Sequence, residues 1–317
     1  MGKACRCATM MFVAVTAIDG GTAPSWRSDA MATESNESGQ AQVIAAQVNK
    51  AFDAARRGDF APLTELQEVG PAIVPALALY LDDPDESIRR EVVILLKVVG
   101  GTAALPLLER ALNDASADIK ERAATSLYER DDLSTMAART TLRAALCKSV
   151  QHGNPSAAAL LLLAYFPDKE VEKVLQAEQA QPAGETVELE TAPTPVPRSL
   201  PATVALSRIG APGARKDLLG IIHRGKLDEL RFLLAILREI DAPEVLHELK
   251  STLDDQRETG SGAPIGVEQR RRLCDDAVDA FVRRLTLRMD FDLSEARRYT
   301  QAEIGKVRDA INSSIPH

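Results

Sequence analysis

Along most of the chain, apolar residues recur every three or four positions in short runs, separated by turns rich in Gly, Pro and Asp. That spacing predicts helices and not strands. The run DESIRREVVILLKVVG shows it plainly, because Ile88, Val92, Leu95 and Val99 fall on one helical face. A second run, ADIKERAATSLYE, repeats it in register, with Ile119 in the place of Ile88, Lys120 of Arg89 and Ala123 of Val92.

A longer phrase also repeats: LKVVGGTAALPLLERALND from Leu96, LSRIGAPGARKDLLGIIHR from Leu206 and LREIDAPEVLHELKSTLDD from Leu237. The last apolar residues before successive inter-helix turns are Leu66, Leu96, Leu127, Leu163, Leu206 and Leu237. Most steps are about 31 residues, a period that marks stacked helical units, each burying its apolar face against its neighbours. Two longer steps contain inserted loop residues. Within a unit, a Gly, Pro or Asp turn starts the first helix. An acidic turn, Asp82 to Asp85 or Asn113-Asp114, then offers oxygens to the free amides of the second helix.

Helix, turn, helix at this period resembles the HEAT-repeat superfamily, in particular the short HEAT-like units also found in phycobilisome lyase subunits. The residues that carry the resemblance are the acidic turn, the Ile-Arg or Ile-Lys step at 88–89 and 119–120, and the apolar anchors. It covers roughly 60–255, with capping helices at 42–57 and beyond 265. The expected fold is all-α: a right-handed α-solenoid, an armadillo-like helical array of about six or seven HEAT-like helix pairs over residues 42–315. The function implied is a scaffold or adaptor. The Pro-rich stretch at about 181–201 and the loop at about 254–265 are expected as flexible spacers, docking of either into the array being a minor alternative.

Residues 1–41 are expected as a disordered tail. Lys3 and Arg6 before the apolar run Ala8 to Ile18, with Ala30-Met31-Ala32 as a small-residue site, loosely fit a signal peptide, although Asp19 cuts the run early. A start at Met31 and a genuine tail are the other two readings. The expected compartment is the cytoplasm, or an exported location if residues 1–30 act as a signal peptide.

In such arrays the second helices line the concave side, and positions opposite their buried stripe face the groove. In register these are Arg90, Ile94 and Lys97; Glu121, Thr125 and Tyr128; and Arg231, Ala235 and Arg238. Arg90, Lys97, Arg231 and Arg238 form an expected basic row able to hold an acidic or amphipathic partner segment, with Ile94 and Tyr128 as apolar contacts. Arg89 and Lys120 are expected to bond acidic turns. The Arg270-Arg271-Arg272 to Arg297-Arg298 cluster alternates with Asp275, Asp276 and Asp279, as expected for pairing on a cap helix.

Composition narrows the alternatives. The chain has 317 residues, 45% apolar and 26% charged, with 4% aromatics and a formal charge of −8. It suits a folded protein packed with small aliphatics and argues against nucleic acid, for which a basic groove with stacking aromatics is needed. His152, His223, His247 and His317 are isolated, His247-Glu248 being one His-Glu step where a di-metal site needs several. No Walker loop or HExxH occurs, and Cys147 and Cys274 read as core thiols. The sequence thus calls for no catalytic residue, metal or cofactor; an enzyme or lyase-type subunit acting on a protein-bound cofactor is the alternative.

Overall fold

The computed structural model of the protein describes residues 26–130, 140–152, 155–182, 184–189, 192–259, 270–294 and 297–315, with side chains from residue 39 onward except 192–194. First and second helices alternate along the chain. The first pair is α1 (Trp26–Ala55) and α2 (Ala61–Val69). In the next pair the first helix is broken into a 3-10 turn, Gly70–Ile73, then α3 (Val74–Leu77), then a second 3-10 turn, Ala78–Asp82. Pro71 and Pro75 have no amide hydrogen to give, so an unbroken α ladder cannot form there. Its second helix is α4 (Glu86–Val99). The third pair is α5 (Leu105–Ala111), entered by a 3-10 turn at Gly101–Ala104, with α6 (Ala117–Tyr128). Then come α7 (Thr140–Gln151) with α8 (Ala157–Leu163), and α9 (Lys169–Gln179) with α10 (Ser199–Arg208). The sixth pair is α11 (Ala214–Arg224) with α12 (Leu227–Ala235), which runs on into a 3-10 turn at Leu237–Glu239. The seventh is α13 (Pro243–Leu249), continued by Lys250–Asp254, with α14 (Leu273–Arg284); α15 (Gln301–Ser314) follows.

Local chemistry sets the boundaries. The Asp85 side chain accepts from the Ser87 amide at 2.9 Å and caps α4, whereas Asp114 accepts from Ser116, the residue before α6, at 2.8 Å. Gly225 stops α11 in a left-handed conformation (φ 62°) with its amide on the Ile222 carbonyl. The apolar faces merge into one continuous core in which Ile88, Val92, Ile119, Leu127, Leu163 and Leu206 are at most 1% exposed. From α4 to α10 the second helices pack on one another more closely than the first helices do, so they form the inner layer. Acidic turns tie neighbouring units together. Arg56 reaches Asp83 at 2.5 Å, and Arg89 reaches Asp114 at 2.8 Å while also donating to the Asp83 carbonyl, as expected of Arg89.

Three expectations are corrected. Residues 26–41, expected in the tail, belong to α1: no proline interrupts the stretch, and Ala, Met, Glu and Gln let the helix continue outward from its packed end at Val48–Ala55. The signal-peptide segment itself lies outside the described residues. The stretch at 181–201 is not a spacer but an antiparallel hairpin, β1 (Thr186–Leu189) and β2 (Ala192–Pro197), followed directly by α10. Val187, Leu189 and Val196 point inward, and β2 packs along α12 while β1 touches α8. The prolines of β2 are tolerated because a two-stranded sheet has only edge strands. Arg198, 8% exposed, holds the hairpin base through Glu178 at 2.5 Å and through Glu185. In the loop expected at 254–265, residues 254–259 are fixed, since Thr259 donates to the Arg271 carbonyl and Arg308 meets Asp254; 260–269 lie outside the described residues.

Candidate protein-binding surface

The expected basic row divides into two unlike parts. On α4, Arg90 bonds Asp118 on α6 at 2.6 Å and Glu86 at 3.1 Å, and Lys97 bonds Glu129 at 2.9 Å. These pairs bridge adjacent second helices and flank Ile94, which is half-buried. Both cations remain about one-third exposed, at 35% and 34%.

Of the other members, Arg238 keeps 45% of its side chain exposed while bonding within the fold, and Arg231 and Tyr128 are drawn into it. Arg231 lies 3.7 Å from Asp276 and is 16% exposed. Tyr128, expected as an apolar groove contact, is only 2% exposed. The Arg238 guanidinium stacks on its ring, 4.3 Å from the centroid, and donates to its carbonyl at 2.6 Å. Burial, with the Glu239 carboxylate close by, pushes the Tyr128 phenol well above its ordinary value. Arg238 also donates to Glu239 Oε1 at 3.0 Å. From the opposite side Tyr165 donates to Glu239 Oε2 at 2.8 Å and Arg208 at 2.6 Å, with Arg208 itself stacked 4.3 Å from the Tyr165 ring. One carboxylate, 1% exposed, therefore joins the C-terminal ends of α6, α8, α10 and α12. We refer to this cluster as the clasp. Register alone missed it, because Tyr165, Arg208 and Glu239 stand outside the positions assigned to the groove.

Clasp and hairpin together enclose the inner face over the middle units. Every residue of α8, and Leu200 to Ser207 of α10, is buried. Inner surface stays accessible on α4 and the adjoining turn of α6, where Glu121 and Arg122 are exposed, and at the end of α12, where Ala235 and Arg238 are exposed.

The outer side of the same units has a different character. A groove of about 390 Å³ runs between the broken helix at 70–82 and the helix at 101–112, lined among others by Pro71, Pro75, Ala78, Ala103, Pro106 and Leu107. Leu79 beside it is 76% exposed. At one end Arg110 pairs with Asp82, whose side chain is 78% exposed.

The groups weighed for chemistry are dispersed. Burial pushes the Cys147 thiol up to about 11, so it stays protonated near neutral pH. Burial also raises Cys274, which lies at 3.6 Å from Gln256 Nε2. His247 is exposed, and its neighbour Glu248 is engaged by His223 at 3.2 Å. Among the described residues no three His, Cys, Asp or Glu side chains are grouped to hold a metal ion, and no helix is long and apolar enough to cross a membrane. The C-terminal arginines pair as expected of a cap: Arg271 with Asp276 and Asp279, and Arg272 with Asp275.

Comparison with known proteins agrees with the repeat and carries no subtype of it. No curated protein and no solved structure matches the chain. Residues 61–128 do match a family, described as HEAT repeats, and the stretch from α2 to α6 is accordingly a HEAT-repeat segment.

Proposed function

We propose that the protein is a non-catalytic interaction scaffold or adaptor that holds a partner protein against its HEAT-repeat segment. The observation that carries this reading is the apolar outer surface formed by residues 71–79 and 103–107, with Leu79 three-quarters exposed. Apolar surface of this kind gains free energy when a partner covers it. On the inner face the reading keeps Arg90, Ile94 and Lys97 of α4 and the exposed Arg238, while Tyr128 and Arg231 are taken up by the fold.

Cross-linking of the full chain in its native cells, followed by mass spectrometry, tests the reading. A protein joined to residues 61–128, and equally captured by a Cys147→Ser/Cys274→Ser/His247→Ala chain of unchanged helicity, is the expected result. A chain recovered without any cross-linked protein, or a partner lost with that triple substitution, would overturn it in favour of chemistry at those side chains.

A further inference from the structure

We propose that the outer groove between the helices at 70–82 and 101–112 docks a cationic amphipathic helix of a partner protein. The proposal rests on the scaffold reading and adds its site and the chemistry of its ligand.

Comparison of equivalent outer positions within the array locates the site. In later units the outward residues are charged: Lys169, Glu170 and Lys173 on α9, Arg215, Lys216 and Asp217 on α11, Glu244 and His247 on α13. A repeat array keeps that face polar because nothing in the stack covers it. At 70–82 and 101–112 the outward positions are instead Pro71, Ala72, Pro75, Leu79, Ala103 and Pro106, all exposed. Single exposed apolar residues occur on other first helices, Ala144 on α7 and Pro243 on α13, but only at 70–82 and 101–112 do several line up on two adjacent helices. The result is a furrow and not scattered contacts.

The furrow's shape and charge select its occupant. It lies between two side-by-side helices and its walls are alanine, proline and leucine, with no aromatic platform and no side-chain donor or acceptor among its lining residues. Such a furrow accepts the aliphatic ridge of a third helix, anchored at i, i+3 or i+4, and i+7. No Lys or Arg occurs from Gly58 to Ile88; of the acids beside the furrow's first wall, Asp82 pairs with Arg110, Asp83 with Arg56 and Glu86 with Arg90, but Arg56 and Arg90 are shared with Asp53 and Asp118, so the acids outnumber the arginines. Glu109 and Asp82 stand at the end where both wall helices terminate, with Arg110 as the local cation. Helix C-termini carry partial negative charge, so that end attracts Lys or Arg on the incoming helix and repels an anionic segment or lipid surface.

The test uses the full chain and three fluorescent helical peptides sharing one leucine stripe, with polar faces of Lys, Gln or Glu, read by anisotropy. The Lys peptide should bind at least tenfold more tightly than the Glu peptide. Ala103→Lys, an exposed helix-compatible change that fills and charges the furrow, should remove at least tenfold of that affinity, whereas Lys216→Ala on α11 should leave it unchanged. Equal binding of the three peptides, lost with Ala103→Lys, overturns the cationic assignment while leaving the scaffold reading intact. Binding that ignores Ala103→Lys, or absence of binding by every peptide, overturns the docking site; the cross-linking result judges the scaffold separately.

Discussion

Single side chains decide more here than their positions in the repeat suggest. Glu239 is a buried carboxylate with three donors, and removing it takes one acceptor from each of Arg208, Arg238 and Tyr165, although both arginines keep solvent and backbone partners. Losing three hydrogen bonds at about 1 kcal/mol each should make Glu239→Ala unfold at a markedly lower temperature than the parent, while Tyr165→Phe, which loses one of them, should cost only about 1–2 kcal/mol; thermal melts compare the two directly. Gly100 is required for space, since a Cβ there would lie 2.1 Å from Ala104 Cβ and 2.5 Å from the Leu96 carbonyl. Gly100→Ala should therefore destabilise by about 1–3 kcal/mol through overpacking, checked by urea unfolding. The neighbours Asp275 and Asp276 have opposite acid responses. Burial works against the Asp275 carboxylate, but Arg272 and the Tyr299 amide outweigh it and hold the group below the usual carboxylate range. Its folded value lies under its unfolded value, so its stabilisation is present above pH about 4 and fades as pH falls through that range. Burial raises Asp276 despite Arg271 and Arg231, so its contribution is largest in acid and is lost as pH rises through its raised folded value. Melts between pH 6 and pH 3 should then show a shallower acid loss for Asp275→Asn and a steeper one for Asp276→Asn.

At the scale of elements, the amphipathic helices were legible because each needs only its own spacing and a turn. Ile88, Val92 and Leu95 are buried as their periodicity requires, and Asp85 caps α4 as an acidic turn should. The hairpin was not legible. Its strands are short, β2 alternates prolines with other residues, and the inward set of Val187, Leu189 and Val196 gains meaning only from the surfaces of α8 and α12 that receive it. The contact between Tyr128 and Arg238 was hidden for a related reason: register places them on equivalent faces of different units but cannot tell that the fold brings them together. A real spacer at 181–197 would be replaceable without consequence. Exchange of residues 186–196 for a Gly/Ser stretch should instead lower the melting temperature and admit proteolysis near Glu178, because it bares the apolar faces beneath and loosens Arg198 from its carboxylates.

Over the whole molecule, most contacts join a unit to the next, the condition under which stacked arrays unfold piecemeal. The clasp departs from that rule by joining α6 to the turn after α12 across the two intervening helix pairs. Hydrogen exchange should show residues 117–239 protected as one unit in the parent protein, and Glu239→Ala should separate that region into parts with distinct opening free energies. Under tension the same link becomes a shunt. A force applied through α1 and α15 passes from Tyr128 to Arg238 without loading the 109 residues of chain between them, so α7 to α12 stay slack until the guanidinium leaves the ring and then pay out their whole length in one step.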